Sequence, residues 1–120
     1  MISTFLTLAV LSSDIPKEPL PPTYYAEQHL DQKEYYGDFE LTAYNPTGNP
    51  CADGIMPREG VTAASNDPAL WHKCIYIEDV GIFYIHDTGG MSKNVIDIYM
   101  EDRSEALQFG RRTGAVYIID

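Results

Sequence analysis

Basic residues are scarce: eight Lys and Arg stand against eighteen Asp and Glu in 120 residues, a formal net charge of −10. A surface of that sign repels phosphate backbones and anionic lipid, so nucleic-acid binding would need a basic cluster, and the only adjacent basic pair is Arg111-Arg112. Long apolar runs are missing as well. No stretch approaches the roughly 20 residues a membrane-spanning helix requires, so no membrane span is expected. Cys51 and Cys74 are the only two cysteines, with no CxxC pair and no His at metal-ligand spacing, which argues against structural zinc. They leave two readings open: two unrelated buried thiols, or one disulfide that would suit an oxidising compartment and stabilise the domain by about 3 kcal/mol.

The chain is nevertheless rich enough to fold. At 44% hydrophobic residues it can bury one core, and its length allows one domain. The apolar run Phe5 to Leu11 before Ser12-Ser13 has the pattern of a secretory signal, which would send the protein to the cell envelope or outside the cell. The usual basic opening is absent, since the first basic residue is Lys17, and an amino-terminal strand is the competing reading. From Ser12 to Gly37, four prolines and two Tyr-Tyr pairs without periodicity predict an extended arm. Residues 1–38 are therefore read as leader and arm, and residues 39–120 as the folded domain.

Within that domain, short β-type runs bounded by turn residues predict strands at Phe39 to Tyr44, Gly60 to Ala64, Cys74 to Glu78, Gly81 to Asp87, Val95 to Met100 and Ala115 to Ile119. One helix fits, capped by Asp102 or Ser104, running to Phe109 and stopped by Gly110. Six strands and one short helix in about 80 residues predict a mainly β fold, a small closed barrel.

Two segments suggest chemistry. His86-Asp87-Thr88-Gly89-Gly90 follows a strand, and its paired glycines allow a tight turn with room for a ligand. Asp97 interrupts the apolar strand Val95 to Tyr99, and alternation turns Asp97 and Tyr99 away from Ile96 and Ile98. A strand carboxylate in a cleft beside a second carboxylate would have a raised pKa, as a general acid near neutrality needs.

From Phe39 to Asp120 the sequence resembles the 3D domain, a small six-stranded double-psi β-barrel named for three aspartates. That barrel is shared by lytic transglycosylases of the stationary-phase-survival type and related to the barrel of membrane-bound lytic transglycosylase A. The likeness is carried by Thr42-Ala43-Tyr44, Ala52-Asp53-Gly54, Ile75-Tyr76-Ile77 with Gly81, Asp87-Thr88-Gly89-Gly90, Ile96-Asp97-Ile98-Tyr99, and Glu105-Ala106 to Phe109-Gly110-Arg111 with Val116-Tyr117-Ile118. The resemblance implies cleavage of the β-1,4 bond between N-acetylmuramic acid and N-acetylglucosamine in peptidoglycan strands, with a 1,6-anhydro product and no cofactor. It gives Asp97 the role of acid and then base, and Asp87 that of orienting it. Thr42, Tyr44, Asp67, Thr88, Gly89, Gly90 and Lys93 are the expected sugar contacts. A phage particle or lysis cassette is one possible setting.

The sequence departs from the family pattern in two places. Met91-Ser92-Lys93-Asn94 is one residue shorter than the usual loop after the paired glycines. An ungapped match sets Ser65 at the third aspartate position, whereas a gap restores Asp67-Pro68. Trp71 is read either as a sugar-stacking wall or as core. His72 and His86 have no assigned role. Two other functions compete: a noncatalytic, expansin-like glycan-binding barrel, and calcium binding by Asp67, Asp87 and Asp97, whose spacing is unlike that of known loop sites.

Overall fold

The computed structural model describes residues 19–119, so the apolar run Phe5 to Leu11 and the first part of the expected arm lie outside the described residues. Six strands close into a barrel: β1 (Glu34–Tyr44), β2 (Thr62–Ser65), β3 (Cys74–Ile77), β4 (Gly81–Asp87), β5 (Val95–Tyr99) and β6 (Arg112–Ile119), in the spatial order β1-β5-β2-β4-β3-β6. The expected closed β architecture is present, with β4 at its expected bounds. No described helix is long and apolar enough to cross a membrane.

Closure rests on the length of β1. Its first part pairs antiparallel with β6, from Glu34 opposite Ile118 to Leu41 opposite Arg112. Its last part pairs parallel with β5, from Glu40 beside Val95 to Tyr44 beside Tyr99. A second parallel pair joins β2 to β4, and antiparallel pairs join β2 to β5, β3 to β4 and β3 to β6. Inward positions alternate along the strands, as a filled small barrel requires. Leu41, Ala63, Ile75, Ile77, Ile85, Ile96, Ile98 and Val116 form the core together with Leu70 from the β2–β3 connection.

Two differences from the sequence expectation concern the amino-terminal side. Part of the predicted arm forms α1 (Pro22–Glu27), which packs on β3 and β4 and buries Thr23 and Ala26. Pro22 sits in the first turn, where its missing N–H costs nothing. β1 then begins at Glu34 rather than Phe39, because residues 115–118 of β6 offer partners to residues 34–38, and β6 itself begins early, at Arg112 opposite Leu41. A bulge between Tyr35 and Gly37 sends the Tyr36 hydroxyl to Asp67, where it donates to Oδ2 at 2.7 Å. At the other end, α2 (Arg103–Phe109) follows the sequence signals: the Asp102 carboxylate accepts from the Ser104 amide at 2.7 Å, and Gly110 ends the helix at φ 62°.

The two cysteines are free, which removes the disulfide reading. Cys74 opens β3 opposite Tyr84 and Ile119, while Cys51 lies buried in the β1–β2 connection near Asp87. Burial pushes the Cys51 thiol up to about 12, with Asp87 and Asp53 adding to the rise, and burial alone pushes Cys74 up to about 11. Both thiols should react slowly with iodoacetamide at about pH 8 and rapidly after denaturation, because the thiolate is the nucleophile. Intact mass should be the same with and without reductant.

Leu41 is 1% exposed and fills the barrel beneath Gly114, where even a Cβ would come within 2.7 Å of Leu41 Cδ1. Leu41→Ala should lower stability by about 2–5 kcal/mol in urea unfolding, since the surrounding strands cannot collapse into the space.

Candidate functional site

The barrel's parallel and antiparallel registers line up one row of side chains across four strands. Thr42 of β1 stands beside Asp97 of β5, Asp97 opposite Ala64 of β2, and Ala64 beside Asp87 of β4. Residues aligned in this way share one face of the sheet, here the face turned away from the core. Strict alternation would not have produced the last member. In β4, Ile85 is beside Ala63 but Asp87 is beside Ala64, so His86 is an extra residue in a bulge. Were His86 a regular strand residue, Asp87 would share the inward direction of Ile85; the bulge turns its carboxylate onto the face of Asp97.

Thr42 donates its hydroxyl proton to Asp97 Oδ1 at 2.8 Å. Asp87 accepts three hydrogen bonds: from the Tyr44 hydroxyl to Oδ2 at 2.9 Å, and to Oδ1 from the Ala52 amide at 3.0 Å and the Thr88 amide at 2.9 Å. Tyr44 thus reaches from β1 across the row to β4, with its ring edge-on to Tyr99 at 5.5 Å. A cavity of about 260 Å³ opens over Asp87 and Asp97, floored by Ala64 and walled by Tyr44, Thr88, Gly89 and the β1–β2 connection. Ala64 matters here because it is small: a longer side chain between the acids would fill the space above them.

The half-buried Asp97 carboxyl is held above the ordinary Asp range. Burial is the main cause, and the nearby Asp87 charge adds to it; the Thr42 hydroxyl and Arg111 pull the other way. Burial, with the Asp87 hydrogen bond behind it, raises the Tyr44 phenol far beyond its usual value and keeps it a donor.

The other sequence-derived residues are dispersed. Thr88 and Gly89 line the cavity, whereas Gly90 and Lys93 are exposed in the turn that follows and lie outside its lining. Asp67 lies outside it too, capping the 3-10 turn Pro68–Leu70 through the Ala69 amide and accepting from Tyr36. Ser65 is buried in β2, where its Oγ accepts from the Asp67 amide at 3.0 Å. Among the described residues, no three His, Cys, Asp or Glu side chains are grouped to hold a metal ion. Trp71 stacks on His72 at 4.6 Å, His72 on Tyr84, and Tyr84 on His86, so its ring is engaged by the protein.

The roles of two residues emerge only in three dimensions. Asn66 fastens the glycine turn, donating to Gly89 O at 2.7 Å and Met91 O at 2.6 Å and accepting from the Gly89 amide at 3.2 Å. His86, buried and flanked in sequence by nothing that identifies a partner, meets Thr62 Oγ1 at 2.8 Å and Asp53 Oδ2 at 3.1 Å. Neither contact has a local sequence signal.

Asp97→Asn offers a test of this environment that needs no substrate. A carboxyl whose folded pKa is raised contributes no penalty below its unfolded value and costs stability as pH rises through its folded value. The variant cannot ionise and still accepts from Thr42. Its thermal midpoint should therefore lie closest to the wild type below about pH 4, gain on it as pH rises through the elevated Asp97 value and hold a constant lead above that; a difference independent of pH would contradict the burial of that charge. No family model matches the chain, and a search of curated proteins finds no similar one.

Proposed function

We propose that this protein is a peptidoglycan lytic transglycosylase built on a double-psi β-barrel. The parallel pairs β1/β5 and β2/β4 within a closed six-stranded barrel support that topology, and the Asp87-Thr88-Gly89-Gly90 and Ile96-Asp97-Ile98-Tyr99 segments support the family. The observation that carries the proposal is the row Thr42–Asp97–Ala64–Asp87, its last three members lining one cavity, with one carboxyl raised and its neighbour tied by three donors.

The chemistry needs a single acid. Protonated Asp97 gives its proton to the glycosidic oxygen as the bond from that oxygen to C1 of the muramic sugar breaks, and the glucosamine leaves with a hydroxyl. The Asp97 carboxylate then takes the proton of the muramic C6 hydroxyl, whose oxygen bonds to C1 and closes the 1,6-anhydro ring. Asp97 ends protonated as it began, and no water is consumed. Paired-carboxylate hydrolases differ in needing a second group as nucleophile or to activate water. The Thr42 bond occupies Oδ1 and leaves Oδ2 for the travelling proton. Asp87, tied at both oxygens, holds its charge near Asp97 and favours the protonated form there. The cavity, at about 260 Å³, is slightly below the ~300–1,000 Å³ of ligand clefts and suits one linkage of a longer strand.

Incubation with insoluble peptidoglycan should release muropeptides ending in anhydro-muramic acid, identified by mass. Asp97→Asn should lower that release by about 100-fold or more while the protein stays folded, in line with the contribution of a general acid. The wild-type rate should fall as pH rises through the elevated Asp97 value, because the proton to be donated is lost. Binding of glycan strands without anhydro ends would replace the enzyme with a noncatalytic glycan-binding barrel.

A further inference from the structure

The turn Cys51 to Ile55 closes on itself through the Cys51 amide to Ile55 O at 2.8 Å, the Gly54 amide to Cys51 O at 2.9 Å and the Ile55 amide to Asp53 Oδ1 at 3.0 Å. It is fastened to two consecutive residues of β4. Asp53 Oδ2 meets His86 Nδ1 at 3.1 Å, and the Ala52 amide donates to Asp87 Oδ1 at 3.0 Å. A carboxylate only accepts, so Nδ1 carries a proton and donates to Asp53. In the neutral ring Nε2 then accepts the Thr62 hydroxyl proton at 2.8 Å, while Thr62 Oγ1 accepts the Arg58 amide at 2.9 Å. His86 is 3% exposed, both its ring nitrogens are engaged, and it is the extra residue of the β4 bulge.

Resting on the transglycosylase reading, we infer that Asp53 and His86 are positioning residues for Asp87. They fix the bulge that turns the carboxylate outward and hold the turn whose Ala52 amide grips it. The connection carrying this turn also supplies Thr47, Asn49, Pro50 and Pro57 to the cavity wall. Neither side chain lines the cavity formed over Asp87 and Asp97, which separates this role from catalysis.

Amide hydrogen exchange at Ala52 reads the grip directly. Asp53→Ala should reduce Ala52 protection by about tenfold or more while the amides of β2 and β5 keep theirs. On soluble glycan strands kcat should fall about tenfold with KM within about twofold, because the acid pair is misaligned rather than the cavity lost. A second pair covers a failure of that variant to fold. In His86→Asn the side-chain amide falls near the Nδ1 position and can still reach Asp53, whereas in His86→Gln it falls near Nε2 and reaches Thr62 instead. Each loses one hydrogen bond, yet only His86→Gln should free the Ala52 amide and lower kcat. Equal Ala52 protection in the two, or unchanged protection in Asp53→Ala, overturns the inference. So does lost protection with unchanged kcat. A wild type that makes no anhydro ends overturns the proposed reaction alone, and the exchange comparison still decides whether Asp53 and His86 hold Asp87.

Discussion

The candidate site depends on one break in β alternation. A strand that kept its period past Ile85 would turn Asp87 toward the core, leaving Asp97 without the neighbouring carboxylate that helps raise its pKa. One added residue at His86 reverses the direction of everything after it. A bulge normally leaves the extra residue unpaired, and a polar extra residue buried inside a barrel would be costly. Here the imidazole is supplied with a partner at each nitrogen, and none of the described buried side-chain polar atoms lacks one. The fold accommodates the irregularity by satisfying it.

Around that break the surroundings give the two carboxyls different conditions. Asp87 is tied by two amides and a phenol, while Asp97 has one hydroxyl and a half-buried setting on the far side of Ala64. Burial and the nearby Asp87 charge thereby raise the proton affinity of Asp97, which is how the site can keep a proton available on that carboxyl. Tyr44 spans the row and belongs to both sides, bonded to one acid and close enough to feel the charge of the other.

Much of the barrel was legible in sequence because its strands are short, β-branched and cut by glycine, asparagine and aspartate. The outward direction of Asp97 followed from simple alternation between Ile96 and Ile98. The direction of Asp87 did not, since a bulge is defined by the partner strand and β2 lies some twenty residues upstream. The same limit hid the early start of β1, which depends on β6, and the helical turn in a proline- and tyrosine-rich segment that finds its stabilisation by packing on β3 and β4. Asp67 read as a ligand because Asp-Pro is common to turns and to the family pattern; locally it is a cap. Asn66 gave no signal, and Asp53, though part of the Ala52-Asp53-Gly54 likeness, gave no hint of His86, as their partners come from a distant strand and the turn after it.

The pairing of β1 with both β5 and β6 also governs how the chain can assemble. β1 is synthesised before either partner, so its two edges remain open while β2, β3 and β4 emerge, and the barrel cannot close until the final strand arrives. Contacts this distant along the chain make folding slow relative to helical proteins of equal size. On a ribosome the nascent chain would hold a long unpaired strand for most of its synthesis, the period in which edge-to-edge association is the main hazard. The acidic residues scattered through β1 and its flanks, Asp31, Glu34, Asp38 and Glu40, keep that waiting edge charged.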